Sequence, residues 1–386
     1  MRKYRGAILG CGGRGNSQAA AYNFHPNVSL VALCDIDESR LKAAGEKHRV
    51  QALYTDFHNM IEQEQPDIVA IPTRTNWHCE LTLAVLEHKV NVIVEKPIGV
   101  DLIEADRMVA AAEKAGVQLA VHHQWSLCPR QRKAKEMIKA GAIGEPIYLQ
   151  SSGKGYYGGY GLMNIGTHIL DQVRNFAGTP EWCFAHETVN GRDITATDIV
   201  LGPAGMGLMA AEQIVAHYSF KDGLYATSEY RPRNPIDTLR ALGVDVIGTD
   251  GILSLKGHAP AQLFYYPDKV WTPQDASKWQ KVDLSVEETT LYGQNFQQMN
   301  NLWIIDEMVN ALNEGREHAT SGRNGRLVLE MIMAIHESQR RKARVNIPLE
   351  VREHPLKLML EEAGLPIPTT EIGYQEWRQS FQSKHP

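Results

Sequence analysis

A glycine-rich hexapeptide near the start of the chain limits which folds the sequence can adopt. Gly10-Cys11-Gly12-Gly13-Arg14-Gly15 follows directly after the apolar run at residues 7–9. In this order the first glycine permits a tight turn out of a strand, the second lets backbone amides approach a pyrophosphate, and the third lets a helix pack on the strand. We therefore predict a strand, turn and helix that bind a dinucleotide, with an ordinary glycine turn as the alternative. The predicted contacts are Gly10, Gly12, Gly13, Arg14 and Gly15.

An acidic residue stands where the second strand of such a unit should end. Asp35 closes the next apolar run, 20 residues beyond Gly15. A carboxylate there accepts hydrogen bonds from the adenosine ribose 2′-hydroxyl but repels a 2′-phosphate. Ile36 and its two successors bring no compensating cation, and Arg40 either lies against the adenine or is an ordinary exposed arginine. Asp35, Ile36 and Arg40 are thus predicted to bind NAD rather than NADP.

Composition and charge disfavour several classes of protein. The chain has 386 residues, of which 43% are hydrophobic, enough for about two domains with separate cores. A net charge of −5 offers no basic surface of the kind that binds nucleic acid. Its five cysteines are scattered and lack CxxC spacing, which argues against a disulfide framework and a zinc site. Apolar stretches are too short for a membrane span, and residues 1–5 lead straight into the first strand, so we expect a cytoplasmic protein.

The glycine unit opens a longer alternation of strands and helices. Short apolar runs typical of strands covered on both faces alternate with segments whose apolar residues recur at three- and four-residue spacing. The predicted helices are 37–47, 78–88 and 102–115, and the predicted strands are 67–71, 91–95 and 117–121. This rhythm predicts an α/β Rossmann domain with a doubly wound parallel sheet at residues 1–122.

The pattern changes after residue 122. An amphipathic helix at 130–140 precedes strand-like segments with alternating or β-branched residues, at 146–152, 213–220, 225–230 and 244–248. Glycine turns at 221–223 and 248–251 are plausible hairpin connections. Two long helical patterns return at 301–313 and 326–341. We predict an α+β domain with a mainly antiparallel sheet at 123–345 and a tail at 346–386 that packs on the domains.

Lys96 lies at the edge of the predicted parallel sheet where open α/β sheets bind their ligands. Glu95-Lys96-Pro97 ends the strand at 91–95, so the lysine would point toward the nicotinamide end of a dinucleotide. An X-Pro bond there can hold a cis geometry and fix the amine against a substrate hydroxyl or carbonyl. The alternative is a surface lysine before a helix-initiating proline.

A second group of polar residues recurs at helical spacing. If a helix starts near Asn164, then Asn164, His168 and Asp171 share one face at i, i+4 and i+7. Histidine is suited to accept a proton from an alcohol while hydride leaves its carbon, and Asp171 is suited to orient the imidazole. The alternatives are that Asn164 is a helix N-cap and His168 a packing residue. A metal site is disfavoured because His168 and Asp171 supply only two ligands.

Several of these features together resemble the Gfo/Idh/MocA family of oxidoreductases. They are the glycine loop, Asp35, residues 73–78, Glu95-Lys96-Pro97, the segments 141–146 and 319–322, and residues 164–171. The resemblance implies a Rossmann domain followed by an open-faced sheet domain, and self-association as a homodimer or homotetramer. It also implies that Lys96 holds the reacting oxygen and that His168 is the general acid/base. The positions it assigns to the cofactor are Thr73, Asn76, His78, Glu95, Lys96 and Gln124.

The chain departs from the family pattern at two positions. Many members have an aspartate where this chain has Asn164, and an amide cannot favour a protonated His168 or Lys96 as a carboxylate would. Trp125 stands where relatives often have a basic residue and offers an apolar face to a sugar ring, with a core tryptophan as the alternative. The predicted substrate contacts are Lys96, Trp125, Lys154, Tyr156, Tyr157, Asn164, His168 and Asp171. For Lys154, Tyr156 and Tyr157 the alternative is a flexible glycine-rich loop with exposed aromatic side chains.

The sequence thus favours an NAD-dependent oxidoreductase that transfers hydride between nicotinamide and a ring carbon of a sugar, cyclitol or sugar derivative. A second hypothesis is a redox-neutral enzyme with tightly held NAD, similar to the family's glycosidases or aldose–aldose oxidoreductases. A third, of another class, is an NAD-binding sensor without turnover. The presence of both Lys96 and His168 argues against the sensor, because a binding protein needs no proton-transfer residue.

Overall fold

The chain forms two compact units, each assembled from separate stretches of sequence. The computed structural model describes residues 2–153, 158–230, 242–257, 262–269, 276–296, 299–373 and 376. The first unit comprises Met1–Gly99, Ile103–Leu127 and Val286–Arg326, and the second comprises Val100–Leu102, Cys128–Ser285 and Leu327–Pro386. The domain limits 1–122, 123–345 and 346–386 stay predictions. Lys154, Tyr156 and Tyr157, predicted to contact substrate, lie outside the described residues.

The secondary structure falls into three stretches along the chain. Residues 2–127 form β1 (Tyr4–Leu9), α1 (Gly13–Phe24), β2 (Val28–Cys34), α2 (Glu38–His48), β3 (Leu53–Tyr54), α3 (Phe57–Glu64), β4 (Ile68–Ile71), α4 (His78–Glu87), β5 (Asn91–Val94), α5 (Leu102–Ala115) and β6 (Leu119–Val121). The described residues of 128–285 form α6 (Pro129–Lys139), β7 (Pro146–Ser152), α7 (Gly158–Gly161), α8 (Thr167–Ala177), β8 (Trp182–Val189), β9 (Arg192–Asp193), β10 (Val200–Leu201), β11 (Leu208–Met209), β12 (Gln213–Ser219), β13 (Tyr225–Tyr230), β14 (Gly243–Gly248), β15 (Ile252–Lys256), β16 (Gln262–Tyr266) and β17 (Gln280–Lys281). Those of 286–386 form α9 (Val286–Thr289), β18 (Thr290–Leu291), β19 (Gln294–Asn295), α10 (Asn301–Glu314), α11 (Gly322–Arg341), β20 (Val345–Asn346) and α12 (Pro355–Glu362).

The first unit is built on a six-stranded sheet in the order β3-β2-β1-β4-β5-β6. Every neighbouring pair of these strands runs parallel. All residues of β4 are fully buried, as expected for a strand covered by helices on both faces. The strand order reverses between β1 and β4, so the ligand-binding crevice of such a sheet lies at the carboxyl ends of these strands. The predicted doubly wound Rossmann fold is confirmed.

A late stretch of the chain completes this unit at two places. The hydroxyl of Thr320 donates to the carbonyl of Val121 at 2.7 Å, and Ser321 forms an antiparallel bridge with Ala120, so the open edge of β6 is paired. Helix α10 packs on α1, where the Asn301 amide donates to the hydroxyl of Ser17 at 2.6 Å.

Asp306 on α10 is the centre of a polar cluster against the end of α1. Its Oδ1 lies 3.2 Å from Nε2 of His25 and accepts the Tyr292 hydroxyl at 2.7 Å, and its Oδ2 accepts the Asn310 amide at 3.0 Å. The Asn27 N–H donates to Nδ1 of His25 at 3.1 Å, so Nε2 carries the proton toward Asp306. Burial opposes ionisation of Asp306, but the bonds from His25 and Tyr292 outweigh it and hold the pKa of the carboxyl below its usual value.

The second unit is built on a ten-stranded sheet, with β9 paired to β8 beside the main order β17-β16-β15-β14-β7-β13-β12-β8-β20. Among the described strands of this sheet only β7 and β13 pair in parallel, so the predicted α+β fold with a mainly antiparallel sheet is confirmed. Helix α11 covers one face, where the Tyr218 hydroxyl donates to the carbonyl of Met331 at 3.0 Å. On the other face Phe184 and Tyr225 are 45% and 55% exposed.

The helix that carries His168 begins earlier than predicted. Helical backbone starts at Gly158, and a π-helical turn at Leu162–Gly166 joins α7 to α8. The predicted start near Asn164 and its alternative role as an N-cap are therefore wrong, because Asn164 lies inside the π-turn. Within the described part of the chain, no helix has both the length and the apolar character that crossing a membrane requires.

Replacing Asp306 with alanine should lower the free energy of unfolding by about 2–3 kcal/mol, because His25, Tyr292 and Asn310 lose their acceptor. Urea denaturation at pH 7 measures this loss. The difference between the variant and the wild type should become smaller in acid, because the pKa of Asp306 is lower in the folded state than in the unfolded state. Such a carboxyl stabilises the folded protein at pH values above its unfolded-state pKa, and this stabilisation is lost as the pH falls through the folded-state pKa. The matched control is Glu314→Ala, whose carboxylate is 57% exposed and should contribute less than about 1 kcal/mol. Equal losses of unfolding free energy in the two variants would contradict the role of Asp306 as the shared hydrogen-bond acceptor of this cluster.

Candidate active site

The glycine loop between β1 and α1 is packed tightly on one side and open on the other. Gly10 has a φ of +112°, which strongly favours glycine. A Cβ on Gly15 would lie 1.8 Å from the carbonyl oxygen of Gly10, so α1 can approach the turn only with a glycine there. A Cβ on Gly12 or Gly13 would meet no atom within 4 Å. The loop thus leaves space beside the first amides of α1, as binding of a pyrophosphate requires.

Asp35 ties the end of β2 to this loop. The carboxylate is 6% exposed, and it accepts the N–H of Cys11 at 2.7 Å and that of Asp37 at 2.9 Å. Arg40 lies 3.7 Å from Asp35 and donates to the Asp37 carboxylate at 3.0 Å. Ile36 is 91% exposed and presents apolar surface next to the carboxylate. Since a carboxylate has about four acceptor positions, Asp35 retains capacity for ribose hydroxyls.

Lys96 is buried two residues after the end of β5. Its peptide bond to Pro97 is cis, and the residue is 8% exposed. Burial lowers the pKa of Lys96 to about 8, although the neighbouring Glu95 carboxylate acts in the opposite direction. Near neutral pH the side chain is therefore an ammonium group that loses its proton easily, and this state suits a group that holds a reacting oxygen.

Glu95 is the negative partner of this buried amine. It accepts the Gln18 amide at 3.0 Å, and the same oxygen lies 3.8 Å from Nδ1 of His122. Burial opposes its ionisation, but His122, Arg14 and Lys96 hold the pKa of Glu95 below its usual value. Gln18 and His122 are not predicted from the sequence, because they lie close to Glu95 in space but are distant from it along the chain.

The remaining predicted cofactor positions surround the ends of β4, β5 and β6. His78 is fully buried, and its ring nitrogens lie 2.8 Å from the carbonyl of Pro97 and 3.3 Å from that of Thr73, so it connects the loops after β4 and β5. Burial lowers the pKa of His78. The buried Thr73 hydroxyl has no hydrogen-bond partner among the described residues. The other predicted positions on these loops differ in their exposure. Asn76 is exposed, whereas Trp125 is only 7% exposed. The side-chain oxygen of Gln124 lies 3.1 Å from Nδ1 of His122.

These observations fit a dinucleotide along the carboxyl edge of the parallel sheet. The open side of Gly12 and Gly13 suits the pyrophosphate, Asp35 suits the adenosine ribose, and the Thr73 hydroxyl offers a donor and acceptor that no described residue uses. The first unit thus brings together the predicted cofactor residues and Lys96.

The polar residues predicted on the later helix lie in the second unit. His168 stands in the first turn of α8 and is 3% exposed. Asn164 donates from its amide to the Tyr160 hydroxyl at 3.1 Å. Asp171 is fully buried and accepts two bonds from Arg174, at 2.8 and 3.1 Å, which compensate its charge. π-Helical turns such as the one that precedes His168 occur frequently at functional sites.

Comparison with known proteins places the chain among oxidoreductases. Residues 4–123 match the family described as oxidoreductase family, NAD-binding Rossmann fold, so NAD is the cofactor that this fold binds. The chain is 28% identical to D-apiose dehydrogenase of Paraburkholderia graminis over 92% of each chain. It is 30% identical to D-glucoside 3-dehydrogenase of Escherichia coli over 58% of this chain and 66% of that protein. An oxidoreductase of Agrobacterium radiobacter, solved with NAD+, L-tartaric acid and magnesium, has the same fold, with a TM-score of 0.73 and 21% identity over 90% of this chain and 99% of that chain.

Replacing Gly13 with alanine should raise the Kd for NAD about tenfold while the thermal midpoint stays unchanged, because the new methyl group occupies space that only the ligand needs. Gly15→Ala is the matched control and should lower the thermal midpoint, since its methyl group collides with the Gly10 carbonyl. Isothermal titration calorimetry and thermal denaturation measure the two effects. Unchanged NAD affinity in Gly13→Ala would show that the open side of the loop does not hold the cofactor.

Proposed function

Because the chain belongs to the Gfo/Idh/MocA family of oxidoreductases, we propose that it oxidises one ring hydroxyl of a sugar, cyclitol or sugar derivative to a ketone, with NAD as the cofactor. The observation that carries the proposal is the buried Lys96, which lies next to Glu95 at the edge of the sheet where the nicotinamide is expected. The names of the apiose and glucoside dehydrogenases support a carbohydrate as substrate.

Lys96 is proposed to hold the oxygen that reacts. Bound NAD supplies the acceptor for the hydride that leaves the ring carbon. The Lys96 ammonium donates a hydrogen bond to the substrate oxygen and stabilises the negative charge that develops on it as the O–H bond breaks. Glu95 keeps this ammonium from being an unpaired buried charge, and Gln18 and His122 hold Glu95 in place.

His168 is proposed to take the hydroxyl proton. A neutral imidazole accepts the proton as the carbonyl forms, so one proton and one hydride leave the alcohol and a ketone remains. On the same helix Asp171 accepts two bonds from Arg174, and in the preceding turn Asn164 donates to the Tyr160 hydroxyl.

A redox-neutral reaction is the second candidate, and Asn164 is the observation that favours it. An amide that donates to Tyr160 adds no negative charge to the proton-transfer group, unlike the aspartate found in many dehydrogenases of the family. A cycle in which the substrate is oxidised and then reduced again would yield product without net NADH.

Incubation with NAD and a panel of sugars, sugar acids, glycosides and cyclitols separates the two candidates, with NADH measured by nicotinamide absorbance and products by mass spectrometry. The absence of both NADH and product with every member of the panel would favour the sensor.

His168→Ala should lower kcat by about a hundredfold or more and leave the Kd for NAD within about twofold, because the proton acceptor is removed but the nucleotide contacts remain. Asp35→Ala is the complementary variant and should weaken NAD binding instead, since the ribose acceptor is lost. Steady-state kinetics on the first active substrate and calorimetric NAD titration check both. Full activity of His168→Ala would reject its role as acid/base.

The rate of oxidation, as kcat/KM, should fall as the pH rises through about 8, because Lys96 then loses the proton that makes it a cation. Lys96→Arg keeps a positive charge at every accessible pH, so it should be slower overall but lack this fall. Lys96→Met should be inactive at all pH values. A fall at the same pH in Lys96→Arg would assign the titration to another group.

A further inference from the structure

Asn16, one residue beyond the glycine loop, holds the loop from its protein side. Its amide Nδ2 donates to the carbonyl of Cys11 at 2.8 Å and to that of Gly12 at 3.1 Å. In addition, its backbone N–H donates to the carbonyl of Gly12 at 2.9 Å as the first helical bond of α1. The carbonyls of Cys11 and Gly12 are therefore held in place by a single residue.

Fixing these carbonyls also fixes the direction of two amides. In a trans peptide the C=O and the following N–H point in opposite directions, so the bonds from Asn16 turn the N–H groups of Gly12 and Gly13 away from Asn16. These N–H groups precede the first helical bond of α1 and have no acceptor within the helix. They are thus directed to bind an anion, and a Cβ on either glycine would meet open space.

His48 determines which way the Asn16 side chain faces. Nε2 of His48, at the end of α2, lies 3.0 Å from Oδ1 of Asn16. An amide oxygen can only accept, so His48 donates and the NH2 group must face the loop. His48 is 8% exposed, and burial together with Lys47 lowers its pKa, so the neutral ring with the proton on Nε2 is the form that makes this bond near pH 7.

We propose that Asn16 and His48 are a positioning pair that sets the glycine loop for the pyrophosphate of NAD. His48 orients Asn16, and Asn16 orients the two glycine amides. Neither residue needs to touch the ligand. The proposal rests on NAD as cofactor and not on the identity of the substrate, so its test uses binding alone and its outcome is independent of the proposed dehydrogenase activity.

Calorimetric titration of the full-length protein with NAD, ADP-ribose and adenosine tests the pair. Asn16→Ala should raise the Kd for NAD and for ADP-ribose about tenfold but leave that for adenosine, which lacks the pyrophosphate, within about twofold. His48→Ala should raise the first two about threefold or more, and His48→Gln should restore them because a glutamine amide can donate to Asn16. The double variant should bind NAD no more weakly than Asn16→Ala alone, since the two residues act in series.

Asn23→Ala is the matched control. Its amide donates to the backbone carbonyl of His48 at 3.2 Å, so it joins the same two helices without acting on the loop, and NAD affinity should be unchanged. If Asn16→Ala does not fold, the comparison of His48→Ala with His48→Gln carries the test. The proposal is overturned by unchanged NAD affinity in Asn16→Ala or His48→Ala, by an equal loss of adenosine affinity, by additive effects in the double variant, or by failure of His48→Gln to restore binding.

Discussion

The proposed nucleotide site depends on how closely α1 approaches the turn at Gly10. The missing side chain of Gly15 allows this approach, and the carbonyl of Gly10 occupies the space that any larger residue would need. Once helix and turn are in contact, the Cys11 N–H reaches the Asp35 carboxylate just after β2, and the Asn16 amide reaches the carbonyls of Cys11 and Gly12. β1, β2 and α1 are thereby joined within a few residues, so one packing contact positions both the proposed ribose acceptor and the amides proposed to bind the pyrophosphate.

The carboxyl edge of the parallel sheet carries more buried charge than folding alone would favour. A buried lysine is costly unless it is paired, and Glu95 supplies the partner while being buried itself. His78 and Gln18 then satisfy groups on both sides of this pair. A chain selected only for stability would have apolar side chains here, so the cluster is a departure from folding requirements of the kind that marks a functional site.

The parts of the fold and of the proposed site that can be predicted from sequence are those whose signals are local. The glycine loop, Asp35 and Lys96 are recognisable because neighbouring residues define them, and the long strands and helices because their periodicity extends over many residues. β3 has only two residues and no visible pattern, and the π-turn before His168 depends on packing that periodicity does not encode. Likewise the bond from Gln18 to Glu95 joins residues 77 apart, and no single-sequence signal links them.

The bond between Thr320 and Val121 joins residues 199 apart, and it has a consequence for synthesis. All six strands of the parallel sheet leave the ribosome before residues 286–326, so the edge of β6 and the α10-facing side of α1 acquire their partners only when that later stretch emerges. The sequence of the second unit up to Ser285 is made in between. The nascent sheet therefore has an unpaired edge while the residues between Val121 and Thr320 are synthesised, a state in which strand pairing with another chain competes with native folding.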